Sequence, residues 1–425
     1  MSYPFAMART SGLTPTAATR RPPAGLALAL AAILLQAPGA GAQEQPAPDA
    51  PFTLRGPSDP RIHAGIDLIY SLRFEEAERY FEGIIAADPG HPLGHFFLAT
   101  VTWWRILVDL EDRSHDEAFY KLLQRCIDVC DRRLEADPDD FDAILFKGGA
   151  IGFRGRLRGD RRQFLKAAHD GLLSLPLLEK SRSLEPENKD ILFGQGVYNY
   201  FAEVIPRRHP VVRPVMLLLP GGDKELGLEQ LRQVGREGRY ARTEALYFLA
   251  QIHRLFEEDD AAALPYLRQL HRRYPDNSLF HRYVGRALVG VGRWREGAAV
   301  YEEVARRSRA GDRGYHRRGH IEALYYIGRH AQREARLGDA VRALAAADSL
   351  SYGLGKKAKA QSVRGYVPMA NLYMGIALEE LGDRDAAGTR FRRVLELPDH
   401  EGTRDLARRY LKLQKRKAAA SSPGS

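Results

Sequence analysis

Residues 65–89 read GIDLIYSLRFEEAERYFEGIIAADP, and this stretch contains two amphipathic helical patterns separated by a short turn. The first pattern contains a small residue, Gly65, and the second contains Ala77 followed one turn later by Phe81. Small residues allow two helices to approach closely, and a bulky side chain one turn away fills the remaining gap. Pro89 ends the second helix, because proline lacks the amide hydrogen that a helix interior requires. The stretch therefore predicts two helices packed closely against each other.

The same arrangement recurs along most of the chain, with one small residue in a first helix and a small and a bulky residue in a second. These recurring pairs resemble the tetratricopeptide repeat (TPR), whose hallmarks are these positions and a closing proline. The resemblance implies an all-α fold, a right-handed superhelical solenoid of about eight TPR-like helix pairs over residues 58–413. The second, third and fourth units exceed the usual length, so we expect insertions in them. The small residues of the later first helices are Ala99, Gly148, Gly196, Ala250, Gly285, Gly328 and Gly375.

The middle of the chain interrupts the pattern with prolines at positions 206, 210, 214 and 220, which surround the apolar run VMLLL at 215–219. A proline inside a helix costs about 3 kcal/mol, so we expect no helix to run through this segment. Gly196 before it fits a first helix, and Gly227 after it fits a second helix. We therefore interpret residues 205–221 as an insertion loop of the fourth unit, with its apolar run packed on neighbouring helices.

Residues 194–231 also carry the order G-x-G-x-[FY]-N, a proline, an apolar run and then G-D-[KR]-x-x-G-L. This order resembles the eukaryotic tetratricopeptide repeat protein 39 and inclusion-body-clearance family. What this second resemblance implies is the same helical-repeat architecture.

The N-terminus has the order of a secretory signal. Residues 1–21 contain arginines and no acidic residue, an apolar run follows at 24–35, and small residues come at 40–42. The twelve apolar residues are too few to span a bilayer, which needs about 20. We therefore expect a signal peptide at 1–42 and export of the chain to the periplasm or cell envelope.

The segments that flank the predicted solenoid are polar or rich in proline and alanine. We expect a flexible lead at 43–57 and a disordered tail at 414–425. Removing the signal peptide, with its three arginines, lowers the formal net charge from +10 to +7. This mild basicity allows an acidic partner without specifying one. Both Met1 and Met7 fit as the start of the signal peptide.

Residue patterns that carry chemistry are sparse in this sequence. It contains no G-x-S-x-G, H-E-x-x-H or P-loop motif, so we predict no catalytic residue, no cofactor and no enzyme activity. His316 and His320 lie four residues apart, but neighbouring arginines such as Arg317 oppose a metal cation. Cys126 and Cys130 share one helix face, where a disulfide would strain the helix, and we interpret both as buried small residues. An exported chain of this charge also disfavours nucleic acid as a partner.

In TPR arrays the first helices line a concave groove where ligands usually lie. Counting from the small residues places arginines and tyrosines on the groove side of the fifth, sixth and seventh units. Arginine binds carboxylates through paired hydrogen bonds, so we hypothesise that the groove binds a protein or peptide with acidic or C-terminal carboxylate groups. The alternative is a set of solvated helix faces with internal Arg–Glu pairs. The residues are Tyr247, Gln251, Arg254, Arg282, Tyr283, Arg286, Tyr325 and Arg329.

Two further positions bear on the groove. In the eighth unit the corresponding residues become apolar, at Leu372 and Ile376, and we expect the tail or a loop of the chain to cover them. Near the other end, Trp103 and Trp104 are adjacent in one helix, which predicts that one lies in the core and one faces the groove.

Together these patterns predict a non-catalytic protein–protein interaction scaffold of the periplasm or cell envelope. The alternative is an adaptor that docks on a membrane or the envelope through the apolar insertion 211–219 and the flanking Arg207, Arg208 and Arg213. The partner and the oligomeric state are both left open by the sequence.

Overall fold

A computed structural model describes residues 60–110, 112–216, 220–352 and 365–421, which belong to one compact unit. All regular secondary structure in these ranges is helical. The predicted signal peptide at 1–42 and the predicted lead at 43–57 lie outside the described residues. Localisation therefore stays a prediction.

The helices follow one another as packed pairs, and each helix contacts mainly its neighbours in the chain. The first helices of the pairs are α1 (Pro60–Tyr70), α3 (Pro92–Val108), α5 (Phe141–Asp160), α7 (Ile191–Arg208), α10 (Arg242–Leu255), α12 (Ser278–Gly290), α14 (Arg317–Arg333) and α16 (Tyr366–Glu380). The second helices are α2 (Phe74–Ala87), α4 (Asp116–Ala136), α6 (Phe164–Leu184), α9 (Lys224–Glu237), α11 (Asp260–Arg273), α13 (Trp294–Ala310), α15 (Leu337–Tyr352) and α17 (Arg384–Glu396). A short helix, α8 (Arg213–Met216), precedes α9, and α18 (Thr403–Ser421) ends the described chain.

This order is that of a TPR-like superhelical solenoid, and the predicted all-α fold class is confirmed. Whether each helix pair corresponds to one tetratricopeptide repeat stays a prediction.

Aspartates at the ends of turns fix where several second helices begin. The side chain of Asp223 accepts a hydrogen bond from the amide of Leu226 at 2.9 Å, and Asp383 accepts one from Ala386 at 3.0 Å. Each bond satisfies an amide that the helix itself leaves unpaired, which contributes about 1 kcal/mol. Local sequence therefore fixes where α9 and α17 begin.

The small residues lie where paired helices approach most closely. A β-carbon added at Gly227 in α9 would lie 2.6 Å from the backbone nitrogen of Tyr200 and 2.7 Å from the carbonyl oxygen of Gly196, both in α7. Atoms cannot approach so closely without moving a helix backbone. The predicted pairing of Gly196 and Gly227 across the insertion is therefore what the structure shows.

Replacing Gly227 by alanine is expected to lower the free energy of unfolding by about 1–3 kcal/mol, because the methyl group would push α9 away from α7. Urea denaturation followed by circular dichroism measures this change. Gly171→Ala is the matched control, since nothing lies within 4 Å of a β-carbon at this position in α6. There the loss of glycine flexibility is expected to raise stability by about 0.5–1 kcal/mol. Equal effects of both substitutions would contradict the close contact.

The extra length of the third unit does not come from an inserted loop. Its helices α5 and α6 have 20 and 21 residues, and only residues 161–163 connect them. Pro176 lies inside α6. The predicted insertion between these helices is therefore replaced by longer helices.

The predicted loop at 205–221 is partly helical. The helix α7 continues through Pro206 to Arg208, and a short 3-10 helix, Pro210–Val212, and α8 follow. The expectation that helix would stop before the first proline is wrong: Pro206 removes one amide donor, but it lies in the last turn, where only two helical residues follow it.

The far end of this segment returns onto α7. The carbonyl oxygen of Pro220 accepts a hydrogen bond from the hydroxyl of Tyr198 at 2.6 Å. A β-carbon at Gly222 would lie only 2.4 Å from the carbonyl oxygen of Asn199. Val212 is buried. The described part of the insertion therefore packs on the solenoid, whereas the side chains of residues 215–219 lie outside the described part.

The C-terminal residues form a helix where the sequence predicted a disordered tail from 414. The helix α18 continues to Ser421, and Gln414 within it donates a hydrogen bond to Glu379 of α16 at 2.6 Å. Tyr410 stacks on Phe391 with ring centroids 4.9 Å apart. These contacts cover the last helix pair, and α18 shares one apolar cluster with Leu372 and Ile376, in line with the expected cover of these positions.

Among the described helices, none combines the length and apolar character that crossing a bilayer would require.

Candidate binding groove

The superhelix turns back on itself, so that its N-terminal helices contact the fifth and sixth pairs across the interior. The indole of Trp104 in α3 lies 5.3 Å from the ring of Tyr247 in α10 and 5.5 Å from that of Phe280 in α12. It also meets Tyr70 of α1 edge-on at 4.8 Å. Trp103 and Trp104 are both fully buried. The expectation that one of them faces an open groove is therefore wrong, because helices from the far side cover it.

Polar contacts close the same seam. The carboxylate of Asp67 accepts hydrogen bonds from the hydroxyl of Tyr274 at 2.7 Å and from Arg273 at 3.1 Å. Asn277, which caps α12, donates its side-chain amide to the carbonyl oxygen of Tyr70 at 2.8 Å. Arg318 at the start of α14 forms an ion pair with Asp109 after α3. We call this set of contacts between α1–α3 and α10–α14 the closure seam.

A buried ionic contact joins the closure seam to the third helix pair. The carboxylate of Glu244 in α10 accepts hydrogen bonds from Arg156 of α5 at 2.8 Å and from the hydroxyl of Tyr70 at 3.1 Å. The guanidinium of Arg156 lies over the rings of Trp103 and Phe248, at 4.6 and 4.1 Å. Burial and the nearby Glu244 carboxylate raise the pKa of Tyr70, so that its hydroxyl stays a donor. The first half of the concave side is thus filled by the chain itself.

The groove residues predicted in α10 lie within or beside this filled region. Tyr247 is buried in the aromatic cluster around Trp104. Gln251 is half-buried, and its amide nitrogen has no hydrogen-bond partner among the described residues. The guanidinium of Arg254 pairs with Asp260 at 3.0 Å and lies over the ring of Tyr283 at 5.1 Å. Tyr247 and Arg254 are therefore already engaged by contacts within the chain.

The two arginines predicted in α12 share one buried carboxylate of α14. Arg286 donates to both oxygens of Glu322 at 2.6 Å, and Arg282 donates to one of them at 2.8 Å. The hydroxyl of Tyr301 adds a bond at 3.0 Å. Burial alone would raise the pKa of Glu322, but Arg286 and Arg282 outweigh it and lower this pKa to about 2. Two guanidinium groups and one carboxylate leave a net positive charge here.

The two predicted groove residues in α14, Tyr325 and Arg329, have different surroundings. Tyr325 is buried, and its hydroxyl lies 3.5 Å from the sulfur of Met369. Burial raises the pKa of Tyr325. Arg329 is half-buried, with its guanidinium 3.3 Å from the ring centroid of Tyr373 and one nitrogen donating to Gln332 at 2.6 Å. Within the described ranges, no carboxylate lies within ion-pair distance of Arg329.

We call the surface formed by α12, α14 and α16 the C-terminal groove. Its arginines and tyrosines come from three successive first helices. The residues are Arg282, Arg286, Tyr325, Arg329, Tyr366 and Tyr373.

Sequence reasoning missed two of these residues. Tyr366 lies 5.4 Å from Tyr325, and Tyr373 lies below Arg329. They are seven residues apart in α16, a spacing that places them on one helix face. This seven-residue spacing could have identified the two tyrosines. The neighbouring Leu372 and Ile376 made the helix face read as apolar instead.

Other candidate chemistry in the described residues is structural. Cys126 and Cys130 are buried free thiols, as predicted, and their hydrogen bond together with burial raises the pKa of Cys126. Burial lowers the pKa of both His316 and His320. No group of three or more metal-ligating side chains converges in the parts of the chain that the structure describes.

The fold and the groove together define the class, a TPR-like α-solenoid. No family model matches the sequence, and no curated protein matches it significantly. Among solved structures, the chain is similar to the human IFIT1 dimer with PPP-AAAA, with 12% identity over 77% of this chain and 69% of that one, and a TM-score of 0.41. It is also similar to the C-terminal part of a TPR repeat-containing protein from Cytophaga hutchinsonii, with 15% identity over 70% of this chain and 97% of that one, and a TM-score of 0.34. At these TM-scores the similarities support no conclusion about function, and the resemblance of residues 194–231 to the protein 39 family stays a prediction.

Proposed function

We propose that this chain is a non-catalytic scaffold that binds a protein partner in the C-terminal groove. The observation that carries the proposal is the surroundings of Arg329, whose guanidinium lies over Tyr373 and makes no ion pair with a carboxylate of the described residues. One of its nitrogens donates to Gln332 at 2.6 Å, and the remaining nitrogens of the stacked guanidinium can donate to an incoming carboxylate. Beside it, Arg282 and Arg286 share the single carboxylate of Glu322.

The chemistry of the groove favours an acidic segment or a C-terminal carboxylate. The local excess of arginine attracts a negative charge, and the tyrosines offer flat apolar surface with a hydroxyl at the edge. Tyrosine and arginine are the residues that most often anchor protein interfaces. Side chains of the chain itself fill the first half of the concave side. We therefore place the partner against α12, α14 and α16 only.

Docking through the insertion 211–219 receives less support from the described residues. Val212 is buried, and Arg208 donates to the carbonyl oxygens of Leu255 and Phe256. Arg207 and Arg213 remain exposed. We therefore propose the groove as the binding surface, in a chain that works in the periplasm or cell envelope.

The test uses peptides with a free C-terminal carboxylate and the same peptides with an amidated C-terminus, chosen from proteins that copurify with the chain from the cell envelope. Fluorescence anisotropy is expected to show that the free-carboxylate forms bind more tightly. Arg329→Gln removes a charge-assisted contact and is expected to weaken their binding about tenfold or more. Arg342→Gln is the control, since Arg342 is an exposed helical arginine outside the groove that pairs only locally with Asp339. Equal affinity of wild type and Arg329→Gln would overturn the proposal.

A further inference from the structure

A second arginine cluster surrounds a cavity of about 430 Å³ away from the C-terminal groove, between α9, α10 and α11. Arg232 and Arg236 come from successive turns of α9, and Arg242 is the first residue of α10. Cavities of this size take small-molecule ligands, which typically occupy about 300–1,000 Å³. The cavity thus has room for more than a simple ion.

The positive charge at this cavity is not balanced. Arg236 and Arg232 donate to the same carboxylate, that of Glu229, at 3.0 and 3.2 Å. The hydrogen bonds from Arg236 and Arg232 lower the pKa of Glu229. Arg242 donates to the backbone carbonyl oxygen of Arg236, and among the described residues it has no ion-pair partner. Three guanidinium groups therefore face one carboxylate, which leaves a local excess of two positive charges.

The floor and one wall of the cavity are apolar. Gly235 and Leu246 are buried beneath the arginines, and a β-carbon at Gly235 would lie 3.1 Å from Leu246. The glycine therefore lets α9 and α10 pack closely at the cavity. Tyr266 lines the wall, and its ring is fixed by parallel stacking on His253 at 5.9 Å.

The turn that leads into α10 is held in place by an internal carboxylate. Asp190 accepts hydrogen bonds from the backbone amides of Arg239 at 2.9 Å, Tyr240 at 3.0 Å and Ala241 at 3.2 Å. The backbone of Arg242 is thereby positioned before any ligand arrives. Such preorganisation reduces the ordering cost of binding.

We propose that this cavity binds a small phosphorylated molecule. Arginine forms paired hydrogen bonds with phosphate oxygens, and the local excess of two charges matches a phosphoryl dianion. The remainder of the ligand packs on Leu246 and Tyr266. This site is independent of the peptide site in the C-terminal groove, because the two share no residue.

Isothermal titration calorimetry of the full chain at low ionic strength tests the proposal with three probes: inorganic phosphate, phenyl phosphate and benzoate. Phenyl phosphate is expected to bind most tightly, since it offers both a dianion and a ring. Arg236→Gln and Arg242→Gln are each expected to weaken its binding about fivefold or more, and added salt is expected to weaken it further. Arg342→Gln, outside the cavity, is expected to leave binding unchanged. Arg236 is 58% exposed in its side chain, so its substitution should leave the fold intact, which circular dichroism checks.

Three outcomes would overturn the site. They are no binding of phenyl phosphate by the wild type, undiminished binding by both cavity variants, and an equal loss in Arg342→Gln. Peptide anisotropy measured on Arg242→Gln separates this result from the proposed groove function. Unchanged peptide binding is expected there, so either proposal can fail while the other stands.

Discussion

Replacing Glu322 by alanine is expected to lower the free energy of unfolding by about 3–5 kcal/mol. The carboxylate is 1% exposed and accepts hydrogen bonds from Arg282, Arg286 and Tyr301. Its removal leaves two guanidinium groups close together in the interior without a counter-charge. Breaking a buried ion pair from one side is far more costly than replacing both partners by apolar groups, because one charge remains desolvated. Guanidinium denaturation followed by tyrosine fluorescence and circular dichroism measures the change.

The dependence of this stability loss on pH tests whether the Glu322 carboxylate is its cause. The folded-state pKa of Glu322 lies at about 2, below its ordinary value of 4.5. Its stabilisation is therefore complete above about pH 4.5 and is lost as the pH falls through about 2. The stability difference between wild type and Glu322→Ala should shrink over that interval. Glu303→Ala is the control, because Glu303 pairs with Arg306 on the surface, and it should cause no measurable change. A difference that stays constant from pH 5 to pH 2 would contradict the assigned role.

The helix pairs could be predicted from the sequence because the signals that set them are local. Small and bulky residues at fixed spacing, such as Gly65 and Phe81, report the contact between two helices of one pair. The structure shows that contact, since a β-carbon at Gly65 would lie 2.6 Å from the ring of Phe81. Register across the insertion followed from Gly196 and Gly227 for the same reason. Helix ends were harder, because proline in a last turn and polar residues in a final helix are both compatible with helix.

The closure seam could not be predicted from these signals. It joins Asp67 to Tyr274, more than 200 residues apart in sequence. Such a contact depends on the summed rotation between successive helix pairs, and a small change per pair moves the ends far apart. Counting positions therefore placed Tyr247 on the concave side but could not show that Trp104 would cover it.

The contacts of the groove residues could be predicted only in part, because they too depend on how successive helix pairs are placed. Position counting placed Arg282, Arg286 and Arg329 on one side of successive helices, and in the structure Arg282 and Arg286 of α12 contact Glu322 of α14. Which of them is neutralised depends on side-chain contacts between helices, and Glu322 takes two of the three. The partner-binding role of these residues stays a proposal that the Arg329 experiment addresses.

Replacing Trp104 by alanine is expected to lower the free energy of unfolding by about 3–5 kcal/mol and to loosen the closure seam. The fully buried indole contacts rings from three separate helices, those of Tyr70, Tyr247 and Phe280. Each neighbouring pair along the solenoid keeps its own interface, because contacts in a repeat array are mostly between neighbours. The lost stability should therefore appear first in the contacts between α1–α3 and α10–α14. Hydrogen exchange is expected to accelerate in α1 and α3 more than in α15 to α17.

Trp294→Ala provides the matched control, because Trp294 lies in α13, is half-buried and contacts Arg333 rather than the closure seam. That variant should lose less stability and should leave exchange in α1 and α3 unchanged. Small-angle X-ray scattering adds a second readout, since release of α1–α3 from α10–α12 increases the radius of gyration. A Trp104→Ala protein with uniform loss of protection and an unchanged radius would show that the seam is not a separate cooperative contact. Selective release would instead show that long-range closure, added to neighbour packing, holds the first half of the concave side shut.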